Sequence, residues 1–135
     1  MVDHLARLVA LACTGATPPA VNGGREAVRA ARLARARRYI ERHLGEPGLS
    51  PALVAREVGV SERQLQLLFE REGETFTRYL TRRRLEEVRA ALGRKDAGPV
   101  TELALACGFG SLPTFYRAFR RAYGAAPSEL RAVEG

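Results

Sequence analysis

One short pattern occurs twice in this chain, and its repetition constrains the fold more than any other feature. AREVGV at residues 55–60 aligns with ALACGF at residues 104–109: alanine matches alanine, glycine matches glycine, and an apolar residue follows each glycine. A serine comes next in both copies, Ser61 in the first and, one residue later, Ser111 in the second. Because serine is a preferred N-cap, each copy predicts a helix, a glycine turn and a second, serine-capped helix. Two such units about fifty residues apart predict a duplicated helix-turn-helix.

The other start and stop signals predict an all-α fold. About seven helices form two helix-turn-helix subdomains, joined by a long linker helix and preceded by a short N-terminal helix. In the first unit, Ser50 and Pro51 begin a helix that runs into Gly59, and the second helix spans residues 61–72. The linker helix spans residues 75–92, the second unit's second helix spans 111–123, and a last short helix begins at Pro127. We therefore assign residues 25–92 to the first subdomain with its connecting helix and residues 93–135 to the second.

A longer helix is predicted before the first unit, over residues 25–44. Gly45 is expected to close this helix as its C′ residue. Its apolar positions are Val28, Leu33, Ala36, Ile40 and Leu44.

Residues 1–24 differ in character from the rest. LARLVALAC at residues 5–13 has leucine and valine at helical spacing, which predicts a short amphipathic helix. TGATPPAVNGG at residues 14–24 predicts a flexible linker. Cys13 and Cys107 lie far apart and outside any CxxC pattern, which is typical of reduced thiols in the cytoplasm. No apolar run has the length of a membrane span, and no membrane partner is expected.

The charge of the chain indicates its class of partner. The net charge is +7, and Lys95 is the one lysine among 22 basic residues, the others being arginine. Arginine binds phosphate and stacks on bases better than lysine does. The composition therefore favours nucleic acid first and an anionic membrane surface second, with a coding bias toward arginine as the alternative explanation.

The helix predicted over residues 111–123 divides into two faces when it is drawn at about 100° per residue. The apolar face contains Leu112, Phe115, Ala118, Phe119 and Ala122. The opposite face contains Pro113, Thr114, Tyr116, Arg117, Arg120 and Arg121. It has no acidic residue, whereas ordinary solvated faces mix charges, so it favours a phosphate- and base-reading surface. With Ser111 as N-cap, Leu112 and Pro113 occupy the first turn, where they offer only apolar contacts, for instance to a thymine methyl.

The helix predicted over residues 61–72 is less uniform. Leu65, Leu68 and Phe69 are expected to face inward, whereas Arg63, Gln66, Leu67, Glu70 and Arg71 face outward, with Gln64 at the margin. Arg63 suits guanine, and Gln64 or Gln66 suits adenine. For Leu67, packing against the connecting helix is the alternative to a base contact.

Three consecutive arginines lie in the linker helix. Arg82 and Arg83 point away from its apolar stripe, and either phosphate contact or a solvated face shared with Glu86 and Glu87 accounts for them. Arg84 falls within the stripe, so its stem is expected to be buried and its head paired with a carboxylate.

These segments resemble the signature of the AraC/XylS family of bacterial transcription regulators. The resemblance lies in ALACGF (104–109), FYRAFR (115–120) and YGAAPSELR (123–131), and further upstream in ARRYIERHL, LSPALVAREVGVS and RRRLE. It covers about residues 28–133. It implies a seven-helix DNA-binding domain whose two recognition helices enter successive major-groove segments on one face of the duplex. Most family members of this kind carry a sensing and dimerising domain before this one, so residues 1–24 are expected to be the end of such a domain and its linker. Either a fragment of a longer regulator or a naturally short relative would fit this expectation.

Carried over by position, the resemblance implies base contacts from Arg63 and Leu67 in the first recognition helix and from Leu112, Pro113 and Arg117 in the second. It also implies that the helix N-termini at Ser61 and Ser111 hold phosphates. Together with the face analysis, the base-facing candidates are Arg63, Gln64, Gln66, Leu67, Leu112, Pro113, Thr114 and Arg117. The phosphate candidates are Ser61, Arg71, Ser111, Tyr116, Arg120 and Arg121.

The function predicted from the sequence is sequence-specific binding of double-stranded DNA in transcription regulation. RNA polymerase is the expected second partner, and a homodimer is expected through the N-terminal region or a missing domain. The alternative is a protein-interaction module that keeps the fold but reads DNA weakly or by shape. No enzyme and no cofactor are expected, because the sequence contains no metal-ligand cluster, no phosphate loop and no triad, and His4 and His43 are isolated.

Overall fold

The computed structural model describes residues 21–134 of the chain, with side chains described for residues 24–131. Within that part every regular element is a helix, which confirms the predicted fold class. The helices are α1 (Val21–Arg42), α2 (Pro51–Val58), α3 (Glu62–Glu70), α4 (Phe76–Leu92), α5 (Val100–Ala106), α6 (Leu112–Tyr123) and α7 (Pro127–Glu134). The short helix predicted near the start, and the linker up to residue 20, lie outside the described residues.

The first helix differs from its prediction at both ends. It begins at Val21, inside the segment predicted to be a linker, and ends at Arg42. Gly45 does not adopt the left-handed conformation expected of a C′ glycine. Glycine is required at this position because a Cβ there would lie 2.6 Å from the carbonyl oxygen of Ala106. Of the apolar positions of this helix, Val28 is 48% exposed, whereas Leu33, Ala36 and Ile40 are buried.

The capping signals of both units are confirmed. Ser50 Oγ accepts the amide of Leu53 at 3.2 Å, and Pro51 follows in the first turn of α2. Ser61 and Gln64 form a reciprocal capping box at the start of α3, with both contacts at 3.0 Å. The turn glycine of each unit is left-handed, which only glycine adopts without a steric penalty.

Two separate cores lie at opposite ends of the linker helix α4. The first contains Phe76, Tyr79 and Leu80 of α4 together with buried residues of α1, α2 and α3. The second contains Leu85, Val88 and Leu92 of α4 and buried residues of the second unit: Ala104, Phe109, Phe115 and Phe119. One helix therefore contributes to both hydrophobic cores. The division of the chain after residue 92 stays a prediction.

Between the two cores lies a buried charge. Arg84 is 9% exposed, as its position in the apolar stripe predicts. Its predicted carboxylate partner is wrong: Nε donates to the carbonyl of Leu44 at 2.9 Å and Nη2 donates to the carbonyl of Glu46 at 2.6 Å. The chain beyond the end of a helix presents carbonyls without helical partners, and these satisfy the guanidinium. Burial lowers the pKa of Arg84 below its ordinary value.

Candidate nucleic-acid interface

The second recognition helix, α6, is fixed from its inner side. Phe115 and Phe119 are fully buried, and their ring centroids are 5.7 Å apart. Two more rings extend the aromatic cluster. The ring centroid of Phe109, from the turn, lies 5.0 Å from that of Phe115, and the ring centroid of Tyr123, from the end of α6, lies 4.7 Å from that of Phe119. Ser111 Oγ accepts the amide of Thr114 at 3.4 Å. The cap and the aromatic core together set which face of α6 meets solvent.

The outer face of α6 is basic and uncompensated. Tyr116, Arg117, Arg120 and Arg121 are exposed and line one shallow depression. None of these arginines forms an ion pair with another described residue, and Arg117 has only a long contact to Thr114 Oγ1 at 3.4 Å. A helix face with three unpaired guanidinium groups is suited to binding a polyanion.

The tip of α6 is only partly available. Pro113 and Thr114 are exposed, as predicted. Leu112 is half-buried and packs against the second core, so it shares its surface between the protein interior and solvent. Of the two apolar residues predicted to contact bases, Pro113 therefore offers more free surface.

The first recognition helix, α3, also buries the predicted residues, Leu65, Leu68 and Phe69. Arg63 and Gln64 are exposed and Gln66 is half-buried. Because the side-chain oxygen of Gln64 accepts the amide of Ser61, the geometry favours Gln66 for a bidentate contact to adenine.

Leu67 stands out on the same helix. It is 44% exposed and lies outside both hydrophobic cores, so much of its side chain is free for an outside contact. An apolar side chain therefore lies in the middle of the outer face of α3.

The two recognition helices differ in charge. The exposed face of α3 and its C-cap residue provide two glutamates and two arginines: Glu62, Arg63, Glu70 and Arg71. On the exposed face of α6 every charged residue is an arginine. Arg71, a predicted phosphate ligand, also lies 3.5 Å from Glu26 of α1. The α3 face is close to neutral, so α6 has the more basic of the two outer faces.

The arginines of the linker helix are ion-paired. Arg82 contacts Glu74 at 2.8 Å and Glu86 at 3.1 Å. Arg83 contacts Glu41 and Glu86, both at 2.6 Å. The Arg82 and Arg83 hydrogen bonds hold the pKa values of Glu74 and Glu41 below their ordinary range. This arrangement favours the solvated face over phosphate contact for both arginines.

A second arginine cluster, on α1, was missed. Arg35, Arg38 and Arg42 line a cavity of about 70 Å³ beside Glu57 and Val58 at the end of α2. Arg35 Nη2 donates to the carbonyl of Glu57 at 3.1 Å, and none of the three forms an ion pair within the described range. The chain reaches the α3 cap four residues after Glu57. The spacing of these arginines, i, i+3 and i+7, places them on one face of a helix and is visible in the sequence.

Other kinds of site find little support in the described part of the chain. It contains no group of three or more histidine, cysteine, aspartate or glutamate residues placed to hold a metal ion. None of its helices combines the length and the apolar character needed to span a bilayer. Cys107 is a half-buried free thiol whose pKa is raised by burial.

Two helix-turn-helix units, each with its recognition helix exposed, define a DNA-binding domain of the duplicated helix-turn-helix class. A family model described as a helix-turn-helix domain matches residues 54–132. The chain belongs to the AraC/XylS family of DNA-binding transcription regulators, which is not an enzyme family.

Similar proteins agree with this assignment. An AraC-type regulator structure from Chromobacterium violaceum is 34% identical, with a TM-score of 0.71 over 78% of this chain and 93% of that one. The C-terminal domain of AraT, a response regulator from Geobacillus stearothermophilus, is 30% identical, with a TM-score of 0.70 over 76% of this chain and 84% of that one. The transcriptional activator RhrA of Rhizobium meliloti is 36% identical over 76% of this chain and 33% of its own length. The chain thus spans about a third of the length of the curated relatives it matches.

Proposed function

We propose that the protein regulates bacterial transcription by inserting α3 and α6 into successive major-groove segments of double-stranded DNA. The observation that carries the proposal is the outer face of α6, where exposed arginines have no carboxylate partner among the described residues. The two-unit fold and the similarity to DNA-binding regulators support the same function, and favour it over a protein-interaction module.

Within this function the side chains divide into two groups. Arg117 and Arg63 are the principal base readers, with Gln66 and Leu67 beside Arg63. Arg120 and Arg121 of α6 bind phosphate. The remaining base-facing candidates, Gln64, Leu112, Pro113 and Thr114, and the remaining phosphate candidates, Ser61, Arg71, Ser111 and Tyr116, keep the roles the sequence predicts. The α1 arginines add a basic flank beside α3.

The wider assignments are also proposals. The protein works in the cytoplasm, contacts RNA polymerase, and dimerises through its N-terminal region or through a domain outside this chain. Two similar proteins are described as transcriptional activators, which supports activation as the mode of regulation.

Selection of bound sequences from a pool of random duplex DNA tests the proposal. A reproducible motif spanning two adjacent groove segments is expected. On the selected site, Arg117→Ala is expected to cost about 1–3 kcal/mol and to relax specificity at one base pair. Arg121→Ala serves as the control, because loss of a phosphate contact weakens all sequences alike. Absence of any motif, together with affinity that does not change with salt, would refute the proposal.

A further inference from the structure

The backbones of the two units approach each other closely where the loop after α1 meets the end of α5. If Gly45 carried a Cβ, that atom would lie 2.6 Å from the carbonyl oxygen of Ala106 at the end of α5. A Cβ on Gly108, in the turn between α5 and α6, would overlap the carbonyl oxygen of Leu44. The loop after α1, which belongs to the first unit, therefore packs directly on the helix-turn-helix turn of the second unit.

Arg84 lies under this contact. Its guanidinium donates to the carbonyls of Leu44 and Glu46 in the first unit's loop. From the other side it is covered by Gly108, where an added Cβ would lie 2.5 Å from Nε and 2.8 Å from Cζ. One side chain from the middle of α4 thus holds the loop of one unit against the turn of the other.

Arginine suits this place for a geometric reason. Two carbonyls need two donors in a fixed plane, and the guanidinium supplies them from a flat group thin enough to fit beneath a glycine. A lysine ammonium would provide a point charge without the fork. One of the two hydrogen bonds goes to the carbonyl of Leu44, which is a buried residue.

We infer that Arg84, Gly45 and Gly108 act as positioning residues that fix the angle between the two helix-turn-helix units and so set the spacing of the DNA segments read by α3 and α6. The inference rests on the proposed function. Each unit has its own core, so the cores alone leave their relative orientation to the single helix α4. The three-residue contact, which we call the joint, adds a second point of attachment.

Gly45 offers the cleanest test of the joint. Its backbone is not in the left-handed region, so alanine brings no dihedral strain, only a methyl group aimed at the Ala106 carbonyl. That oxygen belongs to the backbone, so relief requires the backbone to shift at the contact between the two units. Gly48 lies in the same loop, also outside the left-handed region, and has open space around it. Gly48→Ala is therefore the matched control.

The experiment measures the affinity of the full chain for three sets of duplexes: the selected site, the site with one base pair added or removed between its halves, and sites with one half scrambled. For Gly45→Ala we expect about ten-fold weaker binding to the selected site, since linked units gain affinity only when both engage at once. Half-site affinity should stay unchanged, and the preferred spacing should shift. Arg84→Lys should produce the same shift, and Gly48→Ala should match the parent protein.

A DNA-free measurement separates the joint from the function. Residual dipolar couplings of the free protein report the angle between the two units, which should change in Gly45→Ala but not in Gly48→Ala. The inference is overturned if Gly45→Ala keeps both the inter-unit angle and the ranking of spacings, or if it loses half-site affinity as much as full-site affinity. If the parent protein selects no motif, the proposed function is contradicted. The residual dipolar couplings would then still test whether the joint fixes the angle between the units.

Discussion

Replacing Arg120 and Arg121 by glutamine removes two positive charges from the exposed face of α6 and leaves the buried Phe115 and Phe119 untouched. Neither arginine has a carboxylate partner in the described structure, so no ion pair is lost. If each binds one phosphate, each releases a counterion on binding and adds about 0.9 to the slope of log K against log salt. The double variant should therefore reduce the magnitude of this slope by about 1.8.

The expected difference in affinity follows from that slope. The salt concentration rises four-fold between 50 and 200 mM. With a slope difference of about 1.8, the double variant should lose about twelve-fold less affinity across this range than the parent protein does. The assay is fluorescence anisotropy of a labelled duplex titrated with protein at a series of salt concentrations. Circular dichroism at each salt concentration confirms that the variant stays folded.

The matched control removes two arginines that are already paired. Arg82→Gln combined with Arg83→Gln changes the net charge by the same amount, but in the parent protein those guanidinium groups contact Glu74, Glu41 and Glu86. Its slope should stay close to that of the parent. Equal slope changes in the two double variants would refute the reasoning, because only the total charge would then matter. An unchanged slope for the α6 variant would show that its arginines do not meet phosphate.

Three further predictions concern stability and recognition. Phe119→Ala empties a fully buried aromatic site and should lower the free energy of unfolding by about 3–5 kcal/mol in urea denaturation; a loss below about 1 kcal/mol would contradict the buried packing. Hydrogen bonds from Arg83 hold the pKa of Glu41 below its ordinary value of 4.5, so the stability this pair provides is present above that pH and is lost as the pH falls through the folded pKa. The urea midpoint should accordingly fall more steeply on acidification in the parent than in Glu41→Gln, and parallel curves would refute this. Leu67→Ala should change the free energy of unfolding by less than about 0.5 kcal/mol but weaken binding to the selected site by about 1 kcal/mol, and equal binding by both proteins would exclude a base contact.

Elements whose cause is local were predictable. Ser50, Ser61 and Ser111 each cap a helix because a serine hydroxyl satisfies an amide a few residues away. The spacing of Phe115 and Phe119 places both on one face of α6, and that face is buried. These features depend on neighbours within one or two turns, so the sequence states them directly.

Among the recognition residues, the sequence identified the faces but not the availability of each side chain. Gln64 and Gln66 are equivalent readers of adenine by residue type, and only the capping box distinguishes them. Leu67 had two explanations from the sequence, and its 44% exposure favours an outside contact over packing. The position of the α1 arginines beside the end of α2 is visible only in the structure, where Arg35 donates to the carbonyl of Glu57.

The sequence by itself determined the duplicated units, their caps, the inward faces and the arginine-rich outer face of α6, because short-range hydrogen bonding and helical periodicity set all of them. The tertiary structure alone decided which charges are paired and where the units touch. Arg84 was expected beside a carboxylate but holds two carbonyls about forty residues away along the chain, and Gly45 is required by the nearness of Ala106. Such partners depend on the angles at which helices pack, and those angles are set by the shapes of whole cores, which no local pattern in the sequence specifies.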